Sequence, residues 1–375
     1  MQQEVSPIFG RVYEYQSLHL SYALQSKYAS AMLFVEWVMA IVITFVQFLG
    51  KKRYTKYPLD SIKEDLDKNK NYPTLLVQIP MLNEKEVYKL SIGAVCGPLW
   101  PSDRLIVQVL DDFTDEALRV SFSTKWLNVK YETRNNRNGY KTGALRDGLK
   151  KYYVEGCDFV VIFDADFQPK EDFLWRTIPY LIENPELGLV KARWKFVNAD
   201  ECLMTRLQRM SLDYHFSVEK GVGSSTCSFF GFNGTAGVWR VRAIDDAGGW
   251  KDRTTVEDMD LAVRAGLKGW KFLFVGDLQV KNELPSTFKA YRYQQHRWSC
   301  GPANLFRKTF IEFITYEIFT SSRLLDIIRE CYVTAWIQSS YYRGAEANRV
   351  NEWIVTEKLG NMMKQKFSAR AARRP

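Results

Sequence analysis

The chain has 375 residues, 46% of them hydrophobic and 25% charged, a balance that is typical of folded proteins and excludes a disordered chain. The net charge of +9 favours anionic partners such as nucleotide phosphates or a lipid surface, but no basic stripe interleaved with aromatic side chains indicates a nucleic-acid groove. The six cysteines form no Cys-x-x-Cys pair and there are only three histidines, which argues against a zinc site or a Ser-His-Asp triad.

An apolar segment near the start of the chain, residues 31–49, contains 19 residues and one charge, Glu36. A helix of this length crosses a bilayer, and we expect a transmembrane helix here, with a buried core helix as the alternative. A basic cluster at 51–53 follows, so the positive-inside rule puts the later residues in the cytosol. Residues 1–30 carry no strong pattern, and residues 50–71 read as a charged, polar connector.

After residue 72, short apolar runs alternate with helical patterns. The predicted strands are Thr74–Pro80, Arg104–Leu110, Val129–Thr133, Phe159–Phe163 and Phe272–Val275, and the predicted helices lie near Glu86–Val95, 138–151 and 256–267. This alternation predicts βαβ units and an α/β fold with a mostly parallel sheet. Ligands of such sheets bind at the carboxyl ends of the strands.

Two carboxylates follow the most apolar of these strands. Asp164 and Asp166 are separated by one residue, so both side chains can face the same ion, and Pro169 then ends the strand ladder. Carboxylate oxygens suit Mg²⁺ or Mn²⁺ that is shared with substrate phosphates. The alternative is a solvated, Asp-rich turn.

Three other segments carry candidate ligands. Asp111 and Asp112 end the second strand, and Lys141 lies in a glycine-flanked loop. The acidic run 256–260 opens a helix, where its simplest role is to complement the helix dipole. The aromatic and basic segment 291–298 has an interfacial amphipathic helix as its alternative.

The region from 170 to 230 has a more helical pattern. Leu203, Leu207, Met210 and Met204 are predicted to pack in the core. The glycines at 221–223 lack the third glycine of a dinucleotide-binding fingerprint and follow a helix, so we discount them. The glycine-rich loop 229–237 allows close backbone approach to a ligand, and its Asn233 sequon is expected inside the fold.

Four of these features occur in a familiar order. They are Asp111-Asp112, Asp164-x-Asp166, Glu257-Asp258 with Val256 in the place of a threonine, and Gln294-x-x-Arg297-Trp298. The combination resembles the processive, membrane-bound family 2 glycosyltransferases, which include cellulose, chitin and hyaluronan synthases. Longer strings are similar to the plant cellulose synthase-like A group, and they are Gln78–Glu84, Ala192–Glu201, Phe230–Gly237 and Tyr291–Phe306. The resemblance extends from about residue 31 to 308.

The resemblance implies a GT-A (Rossmann-like) nucleotide-sugar transferase domain at 72–308, with an acceptor and interfacial segment at 286–308, preceded by the transmembrane helix. It implies transfer of mannosyl, and also glucosyl, units from GDP-mannose or GDP-glucose to the 4-hydroxyl of a β-1,4-mannan or glucomannan chain. It also implies an integral protein of the Golgi membrane. The positive-inside rule gives a cytosolic active site, and a lumenal one is the alternative.

The resemblance also implies roles on the donor side. Asp164 and Asp166 would hold Mg²⁺ or Mn²⁺ on the diphosphate and neutralise the leaving group. Asp112 would contact the nucleoside, with Asp111 supporting it, and Lys141 would meet the base or a phosphate.

On the acceptor side, the resemblance makes Asp258 the base that takes the proton from the attacking hydroxyl, giving inversion. Gln294, Arg297 and Trp298 would form the acceptor edge, with Trp298 as a platform for the terminal sugar and Arg297 helping to hold the diphosphate. The Phe230–Gly237 loop would line the acceptor terminus.

The chain departs from this family after residue 308. Family members continue into channel helices, whereas the apolar runs here, 310–314 and 331–337, are too short to span a bilayer. The segment 349–360 nevertheless is similar to a region that lies beyond the first channel helix. Residues 309–375 are therefore expected to be an internally shortened region. The alternative function is a non-extending partner that binds nucleotide-sugar or associates with full-length synthases; nucleotidyl transfer or hydrolysis is a further enzymatic alternative.

Overall fold

A computed structural model describes residues 54–58, 72–82, 88–96, 100–112, 129–134, 136–226 and 229–316, together with isolated helical positions at 34, 38, 41 and 45. The chain divides into two compact units, Met1–Lys52 and Arg53–Pro375, and the elements below belong to the second. Apart from those four positions, the predicted transmembrane helix at 31–49 lies outside the described residues. Within the described ranges, no helix has the length and apolar character needed to cross a bilayer.

Seven strands in the described part of the chain form one sheet. They are β1 (Leu75–Met81), β2 (Leu105–Asp111), β3 (Val129–Thr133), β4 (Phe159–Ile162), β5 (Leu187–Phe196), β6 (Gly237–Arg240) and β7 (Lys271–Asn282). The order is β3-β2-β1-β4-β6-β5-β7; β6 is antiparallel to β4 and β5, and the other pairs are parallel. The predicted α/β class with a mostly parallel sheet is confirmed.

The helices cover both faces of this sheet. They are α1 (Tyr88–Cys96), α2 (Tyr140–Leu149), α3 (Phe173–Glu183), α4 (Leu203–Tyr214), α5 (Gly221–Thr226), α6 (Val241–Asp246), α7 (Glu257–Leu267) and α8 (Phe288–Tyr316). A π-helical turn, His215–Lys220, joins α4 to α5. The predicted helices near 138–151 and 256–267 correspond to α2 and α7.

The hydrophobic core lies on both sides of the sheet because successive strand residues face opposite ways. On β1, Leu75 and Val77 join one buried cluster and Leu76 joins the other. Gln78 faces the second side and is fully buried; its Nε2 donates to Oε1 of Gln108 on β2 at 2.8 Å. Gln108 in turn donates to the Gly148 carbonyl at 3.1 Å, so this buried pair fixes α2 against the sheet.

The reversed strand β6 decides which loops meet at the site. Parallel strands bring their carboxyl ends to one edge of the sheet, and an antiparallel strand brings its amino end to that same edge. Ile162, at the end of β4, pairs with Gly237, at the start of β6. The loop that precedes β6 therefore lies beside the residues that follow β4.

For the middle of the chain, one expectation is confirmed and one was wrong. The region from 170 to 230 is mainly helical, as predicted, although it also contains the long strand β5, which was not predicted. The stripe on α4 is not in the core: Leu203 is 71% exposed and Met210 is 66% exposed, with Leu207 also exposed. The buried side of α4 carries the polar residues Thr205 and Gln208, so the helix is amphipathic with its apolar side outward.

Candidate active site

Asp164 and Asp166 lie in a tight turn directly after β4. The Phe167 N–H closes the turn by donating to the Asp164 carbonyl at 3.0 Å. Ala165 and Phe167 are buried, whereas Asp164 is partly exposed and Asp166 is exposed. Alternate residues of the turn therefore point in opposite directions, and the two carboxylates share the outward side.

Lys141, at the start of α2, reaches the first of these carboxylates. Its Nζ lies 2.5 Å from Oδ1 of Asp164 and donates to the Gly234 carbonyl at 3.1 Å. Burial disfavours the charged form of Lys141, but Asp164, Glu257 and Asp258 outweigh it, and the pKa of Lys141 is raised. The ammonium group therefore stays charged at the centre of an acidic site.

Asp111 and Asp112, at the end of β2, have different partners. The Tyr131 hydroxyl donates to Oδ2 of buried Asp111 at 2.5 Å. Arg134 binds both oxygens of Asp112, at 2.8 and 2.6 Å, and also donates to the Tyr140 carbonyl. The hydrogen bond that Arg134 donates to Asp112 raises the pKa of Arg134 despite its partial burial. Arg134 thus joins the end of β2 to the turn that carries Lys141.

Glu257 and Asp258 are the first two residues of α7. The Met259 N–H donates to Oδ1 of Asp258 at 2.7 Å. Burial raises the pKa of Asp258, and Lys141 opposes that shift. Burial and the charge of Asp258 raise the pKa of Glu257 to about 7. Both carboxyl groups are therefore stronger bases than solvated ones.

Gly234 brings the two halves of the site together. Its φ of +76° favours glycine, and a Cβ placed there would lie 2.9 Å from Oδ2 of Asp258 and 3.1 Å from Nζ of Lys141. Since Lys141 also binds Asp164, this one ammonium group connects the Asp164 carboxylate to the backbone position that Asp258 approaches. The central feature of the site is therefore a cluster of three acidic residues, Asp164, Glu257 and Asp258, around the ammonium group of Lys141.

The Phe230–Gly237 loop is fixed by hydrogen bonds to two strands. The Asp164 N–H donates to Oγ1 of Thr235 at 2.9 Å. The Ala236 N–H donates to Ile162 at 2.9 Å, and the Ala192 N–H donates to the Ala236 carbonyl at 2.9 Å. The sequon residue Asn233 is partly buried in this loop. The loop is thus part of the site's framework.

Gln294, Arg297 and Trp298 lie on α8. The Trp298 ring is partly buried and lies 6.5 Å from the Trp194 ring, and Arg297 is exposed. Oε1 of Gln294 is buried without a hydrogen-bond partner within the described ranges. Close packing of α8 on the residues before α7 is evident at Gly301, where a Cβ would lie 2.3 Å from the Val256 side chain. Helix α8 is therefore held against the segment that leads into Glu257.

Comparison with known proteins gives a consistent assignment. The family described as glycosyl transferase family group 2 matches residues 159–345. The chain is 57% identical to glucomannan 4-beta-mannosyltransferase 1 of Cyamopsis tetragonoloba over 419 aligned positions, which cover 92% of this chain and 80% of that protein. This chain belongs to the family 2 glycosyltransferases.

Other comparisons refine the placement. The chain is 63% identical to glucomannan 4-beta-mannosyltransferase 9 of Arabidopsis thaliana over 313 residues, covering 81% of this chain and 59% of that protein. These relatives confirm the resemblance to the cellulose synthase-like A group. A solved mannosyltransferase from Pyrobaculum calidifontis, PcManGT in complex with GDP-Man and Mn²⁺, has a TM-score of 0.59 and 16% identity, covering 95% of this chain and 92% of that one. At that identity the likeness supports the GT-A-like fold alone.

The alignment with the Cyamopsis protein has more positions than this transferase has residues, 419 against 375. The relative therefore contains residues within the matched region that this chain lacks.

Several residues of this candidate site were not singled out from the sequence. Arg134, Gly234 and Thr235 contact predicted site residues, and Asp260 fixes the start of α7 by accepting hydrogen bonds from Arg253 at 2.6 and 2.9 Å. Asp260 stood in the acidic run that sequence analysis noted, but its burial was not foreseen. The other three gave no signal beyond belonging to a turn or a glycine-rich loop.

A separate cavity of about 670 Å³ lies beside β5 and α4 of the transferase. Charged side chains line it, among them Arg193, Lys195, Arg209 and Asp213. None of the residues predicted as site residues lines this cavity, and Arg193 is already paired with Asp213 at 2.6 Å. We therefore assign the candidate active site to the acidic residues around Lys141 and not to this cavity.

Proposed function

We propose that the chain is an inverting mannosyltransferase that moves mannosyl units from GDP-mannose, and glucosyl units from GDP-glucose, to the 4-hydroxyl of a β-1,4-mannan or glucomannan chain. The observation that carries this proposal is the approach of Lys141, which binds Asp164, and of Asp258 to one backbone position, Gly234. A carboxylate suited to a metal and a carboxylate suited to act as a base, both close to one ammonium group, suit transfer from a nucleotide-sugar diphosphate. The names of the plant relatives support mannose as the sugar.

Asp164 and Asp166 fit a divalent cation that completes its coordination with substrate. Oδ1 of Asp164 is bonded to Lys141, and Oδ2 has no hydrogen-bond partner among the described residues. Those residues contain no cluster of three or more His, Cys, Asp or Glu side chains that could hold a metal. Mg²⁺ and Mn²⁺ accept one or two carboxylates together with phosphate oxygens and water, so this donor set suits either ion. When bound, the ion would neutralise charge on the departing diphosphate.

The protein's own groups would bind the rest of the donor. Asp112 is oriented by Nε and Nη2 of Arg134 and would accept hydrogen bonds from the nucleoside, with Asp111 supporting it. Lys141 would offer its remaining hydrogen-bond capacity to the base or a phosphate. These groups are held before substrate arrives, which lowers the entropy cost of binding.

Asp258 would act as the general base. The acceptor's 4-hydroxyl oxygen would attack the anomeric carbon, its proton would pass to Asp258, and the bond from the anomeric carbon to the diphosphate oxygen would break with its electron pair on GDP. The raised pKa of Asp258 strengthens it for this task. Attack opposite the leaving group inverts the anomeric configuration.

Gln294, Arg297 and Trp298 would bind the acceptor end. Trp298 is already supported by Trp194, so it can present a fixed ring to a sugar. The unpartnered Oε1 of Gln294 would accept a hydrogen bond from an acceptor hydroxyl. Arg297 is exposed and would help to hold the diphosphate.

The site would work at a membrane, in the Golgi as in the resembling plant group. Two observations support a membrane partner: the apolar segment 31–49, and the outward apolar side of α4. Phe288 and Tyr293 on α8 are also exposed, and α4 is tied to the segment just before α8 by the hydrogen bond from Gln208 to the Pro285 carbonyl.

The proposal is tested by radiolabel transfer from GDP-mannose in membranes that contain the full chain, with Mn²⁺ or Mg²⁺ and then with EDTA. We expect metal-dependent label in a polymer that β-mannanase digests, and none with Asp258→Asn. Label in the same polymer from the Asp258→Asn protein would contradict the base assignment. Labelled polymer that β-mannanase does not digest would contradict the proposal that the acceptor is a β-1,4-mannan or glucomannan chain.

A second candidate is a non-extending partner of full-length synthases, favoured by the residues that this chain lacks inside the matched region. GDP-mannose binding without any labelled polymer, together with co-purification of a full-length synthase, would support it. Polymer made by the chain expressed alone would exclude it.

A further inference from the structure

A lysine is buried beneath the Phe230–Gly237 loop without an acidic partner. Lys191 lies on β5 and is 0% exposed, and its Nζ donates to the Thr235 carbonyl at 3.2 Å. Its Nζ also lies 5.2 Å from the Trp194 ring and 5.4 Å from the Phe232 ring. No carboxylate in the described part of the chain forms an ion pair with it.

A second buried lysine ends on the same loop. Lys220, the last residue of the π-helical turn, donates to the Gly231 carbonyl at 2.5 Å and lies 5.5 Å from the Phe230 ring. The two lysine side-chain nitrogens thus bind carbonyls four residues apart in one loop. Lysine is rarely fully buried, so the burial of Lys191 beneath this loop without an ion-pair partner in the described ranges needs a specific cause.

The loop residues that these lysines hold are the ones that contact the proposed catalytic groups. Thr235 gives its carbonyl to Lys191 and its hydroxyl oxygen to the Asp164 N–H. The neighbouring Gly234 carbonyl accepts from Lys141. Ala236 has a φ of +54°, which is unfavourable for alanine and persists only where the surroundings hold the backbone.

Stability alone does not explain Lys191. Burial and the nearby Lys220 charge lower the pKa of Lys191 well below its usual value, which indicates an unfavourable place for an ammonium group. A methionine would occupy a similar volume among the same aromatic rings without this cost. The hydrogen bond to Thr235 is what a methionine could not supply.

We propose that Lys191, assisted by Lys220, is a positioning residue that holds the Thr235 carbonyl and thereby fixes Asp164 and Lys141 for sugar transfer. The proposal rests on the transferase function proposed above. Its physical basis is that the same residue, Thr235, is held by Lys191 at its carbonyl and holds Asp164 at its hydroxyl. We expect loss of the first contact to weaken the second.

The test compares Lys191→Met, which keeps the volume and removes the donor, with Lys191→Gln, which keeps a donor. Lys195→Met is the matched control, because Lys195 is exposed on the same strand. For the full chain we expect Lys191→Met to lower kcat by about 10–100-fold, since small displacements of catalytic groups have effects of this size. The KM for GDP-mannose and the Tm should stay close to wild type or the Tm should rise, and Lys191→Gln should recover part of the kcat.

Hydrogen exchange keeps this test independent of the proposed reaction. We expect faster amide exchange in peptides covering 159–168 and 229–237 in Lys191→Met, and in Lys220→Met, than in wild type or Lys195→Met. A Tm that falls in step with kcat would make Lys191 merely structural and overturn the proposal. Unchanged exchange in both peptides would also overturn it. If wild type transfers no mannose, the proposed reaction fails, and the exchange result still decides whether Lys191 positions the loop.

Discussion

Lys141 joins Asp164 to Gly234, with 2.5 Å between its Nζ and Oδ1 of Asp164 and 3.1 Å to the Gly234 carbonyl. One ammonium group therefore links the turn after β4 with the loop before β6. Because Glu257 and Asp258 also act on Lys141, removal of its charge would leave three carboxyl groups facing one another.

The first prediction concerns this link. Lys141→Met should lower kcat/KM for mannosyl transfer by about 100-fold or more, a usual loss for one preorganised charge in an active site. Steady-state kinetics with GDP-mannose would measure it. Lys151→Met, which removes a partly exposed lysine paired with Glu132, is the control and should act within about twofold of wild type. Equal activities of Lys141→Met and Lys151→Met would show that Lys141 has no role in mannosyl transfer.

Asp258→Asn should abolish transfer while GDP-mannose still binds. A general base contributes about 10²–10⁴-fold to the rate, and the amide cannot accept the proton. Turnover and equilibrium binding of the donor measure the two effects separately. Asp246→Asn, on the exposed side of α6, is expected to behave as wild type. A normal rate for Asp258→Asn would move the base to another residue.

Gly234→Ala should damage the site more than its backbone strain requires. The added Cβ would lie 2.9 Å from Oδ2 of Asp258 and 3.1 Å from Nζ of Lys141. Gly156→Ala provides the matched control, because Gly156 has a φ of +88° but no atom within 4 Å of the same added Cβ. Both should lose about 1–3 kcal/mol of unfolding free energy from the strain. Only Gly234→Ala should lose activity, by about tenfold or more. Similar activities of the two variants would contradict the close approach of Asp258 and Lys141 to Gly234.

The raised pKa of Glu257 predicts a pH-dependent stability. With a pKa of about 7 in the folded chain against an ordinary value of 4.5, folding favours the protonated carboxyl. Its contribution to stability is complete below pH 4.5 and is lost as the pH rises through about 7. Glu257→Gln should therefore have a higher Tm than wild type at pH 8, and the difference should shrink towards pH 5. Exposed Glu155→Gln should show no such trend; a constant difference for Glu257→Gln would contradict the shift.

The outward side of α4 gives a prediction about stability. Leu207 is 52% exposed, so Leu207→Ala should change the unfolding free energy by less than about 0.5 kcal/mol. Leu181→Ala, in the buried face of α3, should cost about 2–5 kcal/mol. Urea unfolding of both variants measures the contrast. Comparable losses of unfolding free energy in the two variants would show that Leu207 packs in the core, as the sequence predicted.

The hydrophobic pattern of the sequence identified the helices and strands whose type is determined by neighbouring residues in the chain. Strands β1 to β4 and helices α2 and α7 have apolar runs or caps that are readable in the sequence. Strand β5 was missed because Lys191, Arg193 and Lys195 interrupt its apolar pattern, and only the folded chain reveals that Lys191 faces inward. The stripe on α4 was correctly seen as a stripe, but periodicity does not say which side of a helix the protein covers.

The candidate site divides in the same way. Motif residues such as Asp164 and Asp258 lie at the end of a predicted strand and at the start of a predicted helix. The sequence alone therefore predicted that they lie at the same edge of the sheet. Arg134 and Thr235 act through bonds to segments 22 and 71 residues away in the chain, and no local pattern encodes such partners. Lys191 was hidden for the same reason.

The reversed strand β6 also sets when the site can exist during synthesis. Strands β1 to β4 are complete by residue 162, and a nascent chain of that length could begin to form their parallel pairs. The amide of Asp164 finds its acceptor only when Thr235 has been made, and α7 arrives later still. More than seventy residues after Ile162 must therefore be synthesised before the Asp164 amide can bind Thr235 and the acidic cluster around Lys141 can form. Until then the growing polypeptide carries its aspartates without the lysine-bound loop that organises them, and it is not yet a catalyst.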